Sequence, residues 1–126
     1  MKKLPRISEA EWRVMKVVWA KTRATTNEVV DTLTPLTPWK PKTIMTMLKR
    51  LVDKGALDYK QKGRVYEYYP LVGETECVKA ESRSFLQRVY GGALRPMLSH
   101  FLEETPLSKK DIEELKRILD EKGKKP

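Results

Sequence analysis

Apolar residues recur along most of this chain at helical spacing, and in one short stretch they alternate instead. Trp12, Met15 and Trp19, with Val14 and Val18 beside them, form the first stripe. They fall three and four residues apart, as one face of an α-helix requires. "ISEAEW" opens that helix: Ser8 is the N-cap, Glu11 completes a capping box, and Ile7 and Trp12 occupy the staple positions. "TTNEVVDTL" predicts a shorter helix capped by Thr25, with Glu28 at the third position and Val29, Val30 and Leu33 inward. "TPLTPWKP" holds three prolines in eight residues and reads as loop. Pro41 then suits the first turn of a third helix, whose Ile44, Leu48, Leu51 and Val52 fall at i, i+4, i+7 and i+8. Gly55 ends it.

From there the period shortens. "ALDYK" and "RVYEYYP" are rich in aromatic and β-branched residues and predict two strands, with "QKG" as the turn between them. Helix, helix, loop, helix, hairpin is the order of a winged helix. Beyond it the helical period returns. Val78, Phe85, Leu86 and Val89 mark a helix over 75–90, which "GG" at 91–92 breaks. Leu94, Met97, Leu98, Phe101 and Leu102 form the next stripe. A last helix repeats the first design, with Ser108 as cap, Asp111 three on, Leu107 facing Ile112, and Ile112, Leu115 and Leu119 inward. The fold class expected is therefore mainly α with a small β-hairpin: an N-terminal winged helix-turn-helix over 1–73, a helical module over 74–122 and a disordered tail over 123–126.

That second module has no sheet to pack on, and about 50 residues cannot bury their apolar faces well alone. Burial against a second copy is the economical solution, so the stripe residues from Val78 to Leu119 are expected to form a symmetric homodimer interface.

Composition narrows the class. The 126 residues make one domain, or one small domain with an appendage. No apolar run approaches the ~20 residues that span a bilayer, and "MKKLPRISEAEW" lacks a signal-peptide core, so no membrane insertion and a cytoplasmic location are expected. One cysteine excludes an internal disulfide. His100 and Cys77 are the sole histidine and cysteine, so no Cys/His metal cluster can be assembled within one chain, and the sequence shows no nucleophile–base constellation; no cofactor, metal or catalytic residue is expected. Cys77 reads as a buried or half-buried small residue.

Charge supplies the positive clue. The net charge is +9, and residues 1–73 carry 15 Lys/Arg against 7 Asp/Glu, so +8 of it lies there. A polyanion partner for that part follows. The polar face of the third helix shows Lys42, Thr43, Met45, Thr46, Lys49, Arg50 and Asp53. Such a face suits a major groove, where hydroxyls and Met45 meet base edges and the long cations grip phosphates. Lys60, Lys62 and Arg64 stand around Gly63 at the hairpin tip, as a wing beside the groove. Arg6, with Lys2 and Lys3, makes a basic start expected to touch phosphate, and Arg6 is counted among the DNA-binding residues. Most of Tyr59, Tyr66, Tyr68 and Tyr69 are expected to pack the sheet on the helices rather than stack on single-stranded bases.

"ISEAEWRVMKVVWA", "WKPKTIMTMLKRLVDKGAL", "GRVYEYYPLV" and "SFLQRVYGG" together resemble the BlaI/MecI family of penicillinase and methicillin-resistance repressors over nearly the whole chain. The resemblance implies a dimeric winged-helix repressor of inverted-repeat operators in double-stranded DNA, relieved by proteolysis in the dimerisation region through a β-lactam sensor linked to a protease. Family members that respond to copper carry a C-terminal pair of Cys-x-Cys motifs, absent here. Two departures stand out. Lys40 replaces the serine often found before Pro-Lys-Thr, which forfeits a good N-cap and sets a cation at the positive helix end. The family's Asn-Phe cleavage bond aligns with His100–Phe101 in "MLSHFLEE". The alternatives are a protein-interaction adaptor built on a winged helix, and a repressor of the same family that answers another signal without cleavage.

Overall fold

The structure, a computed structural model, describes residues 4–124. The expected basic start at Lys2 and Lys3 and the last two residues of the expected tail lie outside that range. In chain order the elements are α1 (Glu9–Lys21), β1 (Ala24–Thr25), α2 (Thr26–Leu33), α3 (Pro41–Asp53), β2 (Leu57–Lys62), β3 (Val65–Pro70), α4 (Glu74–Tyr90), α5 (Leu94–Glu104) and α6 (Lys109–Lys124). The chain divides into two compact units, Met1–Ala80 and Glu81–Pro126.

Local chemistry sets the helix starts of the first unit. Ser8 Oγ accepts from the Glu11 backbone N–H at 3.2 Å, and the Glu11 carboxylate accepts from the Ser8 N–H at 2.9 Å. Thr25 and Glu28 make the same reciprocal pair at α2. Each capping box satisfies two N–H groups that a helix start leaves without intrahelical partners. α3 starts without such help: Lys40 is its N-cap and makes no side-chain capping bond, and Pro41 follows. Its other end is closed by a Schellman motif. The Ala56 N–H reaches Leu51 O at 2.9 Å and the Gly55 N–H reaches Val52 O at 3.0 Å. Gly55 turns the chain at φ +83°, a conformation side chains resist.

The core of this unit joins all three helices to the sheet. Val14, Met15, Val18, Val29, Ile44, Leu48, Leu51 and Leu57 are fully buried, and Tyr68 is buried with them. Removing such side chains from water, at about 1.5–3 kcal/mol each, is the main drive to this arrangement. The sheet is antiparallel in the order β1-β3-β2. The two-residue β1 is an addition to the sequence reading, pairing Ala24 with Tyr68 and Thr25 with Glu67. The hairpin turn also moves. Lys62 pairs with Val65, so Gly63 and Arg64 form the loop, and Gln61 and Lys62 belong to β2 rather than to a turn at 61–63. Gly63 has φ +62° at the first central position, the place where a type II′ hairpin needs glycine.

The unit boundary falls inside α4, beyond the division at 73/74 read from the sequence. Cys77 is buried in the first unit's core, Trp19 Nε1 donates to Val72 O at 2.9 Å, and Lys16 pairs with Glu74 at 2.6 Å. The first turn of α4 thus completes the winged helix. In the second unit, Phe85 stacks on Phe101 with ring centroids 6.2 Å apart, and Tyr90 Oη lies 2.9 Å from His100 Nδ1. Ser108 caps α6 by accepting from the Asp111 N–H. α6 runs through Gly123 and Lys124, the first two residues of the expected tail. Lys122 and Lys124 in its last turn favour the negative helix end.

Candidate nucleic-acid interface

α3 carries its two faces cleanly. Ile44, Met47, Leu48 and Leu51 are buried, whereas Lys42, Thr43, Met45, Thr46, Lys49 and Arg50 are exposed. Met45 is exposed by 52% among these polar side chains, so its thioether and methyl groups are open to contact. Thr46 Oγ1 donates to Lys42 O at 3.0 Å. Its proton is thus committed to the helix, and what it offers outward is a methyl group and acceptor lone pairs.

The hairpin adds Lys60, Lys62 and Arg64, all exposed. Lys60 and Lys62 lie on one sheet face, because they alternate with Tyr59 and Gln61. Tyr68 is buried, Tyr66 packs partly against the core, and Tyr59 stacks on Tyr66 at 5.0 Å and 3°. This tyrosine row therefore supports the hairpin. Arg6 stands apart from the α3 start. Its carbonyl accepts from Lys54 Nζ at 3.0 Å, which places it at the far end of α3, about 20 Å of helix away from Lys40.

The electrostatic arrangement separates two populations of cation. Lys16, Lys21, Arg23 and Lys54 each have a carboxylate within ion-pair distance. Among the described residues, Lys40, Lys42, Lys49, Arg50, Lys60, Lys62 and Arg64 have none. Of the ten unpaired cations among the described residues of the first unit, seven thus lie on α3, its start and the neighbouring hairpin, the others being Arg6, Arg13 and Lys79. No group of His, Cys, Asp and Glu among the described residues is arranged to hold a metal. Burial pushes the Cys77 thiol above its ordinary pKa, helped by the nearby Glu76 carboxylate, so it stays protonated and weakly nucleophilic. No helix among the described residues is long and apolar enough to cross a membrane.

The second unit presents the opposite surface. Among the described residues, no side chain of α5 or α6 is buried. Leu94, Phe101, Leu102, Ile112, Leu115 and Leu119 are exposed, Leu119 by 61%. Phe85, Leu86, Met97 and Leu98 are half-buried, and Val89 is exposed. Val78 is exposed too, but on the part of α4 that belongs to the first unit. His100 and Phe101 lie within α5, where Phe101 O accepts from the Thr105 N–H at 3.0 Å.

A three-helix core, a three-stranded sheet and a hairpin wing define a winged helix-turn-helix protein of the DNA-binding class. The comparisons agree. A family model described as "Penicillinase repressor" matches residues 7–121. The chain is 48% identical over 121 residues to the penicillinase repressor of Bacillus licheniformis, covering 96% of this chain and 94% of that protein. It is 38% identical over 116 residues to the methicillin resistance regulatory protein MecI of Mammaliicoccus sciuri, covering 92% and 94%. The solution structure of the Bacillus licheniformis BlaI monomeric form in complex with the blaP half-operator superposes with a TM-score of 0.53 at 50% identity. That match covers 60% of this chain and 93% of that one. The chain belongs to the penicillinase repressor family. It is accordingly a DNA-binding repressor of transcription and not an enzyme.

Proposed function

We propose that this repressor acts in the cytoplasm as a homodimer on inverted-repeat operators of genes of the β-lactam-resistance type. The observation that carries the reading is the row of unpaired cations on α3 and the hairpin, set around Thr43, Met45 and Thr46. Lys42, Lys49, Arg50, Lys60, Lys62 and Arg64 hold phosphates, and the small side chains between them meet base edges. Lys40 meets a phosphate at the α3 start, which offsets the missing cap. The solved half-operator complex of BlaI supports the choice of partner. The exposed apolar rows of α4, α5 and α6 support pairing, because a module with no buried side chain in α5 or α6 needs a second surface. Two tethered readers convert the second half-site contact into an intramolecular step, so loss of the dimer lowers affinity without altering α3.

Relief by a sensor-linked protease at His100–Phe101 completes this reading. A second reading, relief by another signal without cleavage, is favoured by the helical setting of that bond, since α5 must unwind before a protease can take it as an extended segment. Full-length chain persisting after inducer treatment of the host, while target genes switch on, selects the second.

The test of the whole is selection of bound DNA from a random duplex pool at near-physiological salt. The repressor reading expects an enriched inverted repeat. Binding that fades with salt and shows no preferred site would leave a basic protein-interaction adaptor.

A further inference from the structure

Seven cations in the described part of the first unit lie off α3's exposed face and the hairpin and its start: Arg6, Arg13, Lys16, Lys21, Arg23, Lys54 and Lys79. Four of them are neutralised by carboxylates. Arg13 is not. Glu9, one helical turn earlier on α1, does not pair with it. Instead the guanidinium carbon sits 5.9 Å from the centroid of the Trp39 ring. Trp39 is half-buried against the core and immediately precedes Lys40, the residue from which α3 begins.

An aromatic ring holds a guanidinium differently from a carboxylate. It fixes position and orientation, yet the charge and the donor edge remain unspent. A planar guanidinium so displayed suits a phosphate, which accepts two of its N–H groups at once. Its location matters equally. It rests on Trp39, in the segment that leads into α3 and directly before Lys40, a cation that is also unpaired.

We propose that Arg13 is a further phosphate-contacting residue of the DNA-binding surface, contributed by α1 and held in place by Trp39. This rests on the operator reading above and extends it to a helix outside the reader and wing. Arg13 carries no base information; it sets the register of the protein on the duplex. Trp39 is the positioning residue, acting through Arg13.

The experiment measures affinity of the full chain for one duplex between 50 and 200 mM salt, for wild type, Arg13→Gln, Trp39→Leu, Trp39→Phe and the Arg13→Gln/Trp39→Leu pair. Arg13→Gln should lower affinity alike on cognate and unrelated duplexes. It should also reduce the steepness of log affinity against log salt by about 0.9 for each bound protomer. Trp39→Phe should keep the wild-type slope. Trp39→Leu should lose affinity in the wild-type background and almost none once Arg13 is gone. Equal slopes for wild type and Arg13→Gln would overturn the assignment, whatever the Trp39 variants do. Strict additivity of Arg13→Gln and Trp39→Leu would overturn the positioning role of the ring. Failure of the operator reading is distinct: it shows on the wild-type chain, as the absence of any enriched repeat.

Discussion

Glu11 of α1 and Lys54, the C-cap of α3, form an ion pair whose carboxylate side chain is only 3% exposed and whose ammonium side chain is 36% exposed. The Glu11 carboxylate also closes the α1 capping box, and Lys54 Nζ also donates to Arg6 O. One contact therefore ties the start of the first helix to the end of the reading helix. Its two halves are not equivalent, because one charge is dry and the other can reach water.

Removing either partner should reveal that asymmetry. Lys54→Met strands a buried carboxylate and should destabilise by about 3 kcal/mol. Glu11→Gln keeps the cap and leaves a lysine that water can solvate, costing nearer ~1 kcal/mol. Denaturant midpoints of the two variants test the ranking, and a larger loss for Glu11→Gln would contradict it.

The same pair sets an acid limit. Burial alone would raise the Glu11 pKa, but hydrogen bonds from Lys54 and Ser8 outweigh it and hold the carboxyl below its ordinary 4.5. A depressed folded pKa contributes stability above the unfolded value, lost as pH falls through the folded one. Thermal melts should show stability declining below about pH 4.5, with the decline flattened in Glu11→Gln.

On α3 the side chains should sort by kind. Lys49→Ala and Arg50→Ala should weaken binding on every duplex and shave the salt slope by about one per phosphate lost. Thr43→Ala and Met45→Ala should leave the slope intact and relax preference at single base pairs, on the order of 1 kcal/mol each. Competition binding with single-substitution duplexes separates the two patterns.

A fragment ending at Ala80 should fold as a monomer and outlast one ending at 73. The shorter piece loses buried Cys77 and the Lys16–Glu74 pair, together about 1–2 kcal/mol. In the full chain, Phe101→Glu should leave the first unit's melting unchanged while sedimentation shows monomers. Persistent dimers in that variant would remove Phe101 from the interface.

Thr22 offers a stabilising change. It ends α1 at φ +69°, ψ −41°, which a β-branched residue adopts only under strain. Thr22→Gly should raise stability by up to about 1 kcal/mol in urea unfolding, and a loss would show that the strain is absent.

Features written within a few residues were legible in the sequence. Ser8 with Glu11, Thr25 with Glu28 and Gly55 after α3 are local instructions, and the helices obey them. Features that depend on distant partners were not. β1 exists because β3 lies alongside Ala24 and Thr25, and a two-residue strand has no period of its own. Glu11 read as a capping residue; its second task needs Lys54, 43 positions on. The hairpin turn was misplaced because Gln61 and Lys62 look like turn residues, whereas Gly63's positive φ decides where the chain reverses. The exposed face of α3 was legible, as its apolar period leaves the other side to solvent. Arg13 on Trp39 was hidden, since nothing in the spacing of either residue points to the other.

The bare α5 and α6 have a consequence for how the cell meters this protein. On the dimer reading, the second unit covers its apolar rows only in company, so its stability rises with the concentration of the chain itself. Occupancy of the operator would then climb more steeply with the amount of chain than a single winged helix binding DNA alone would give.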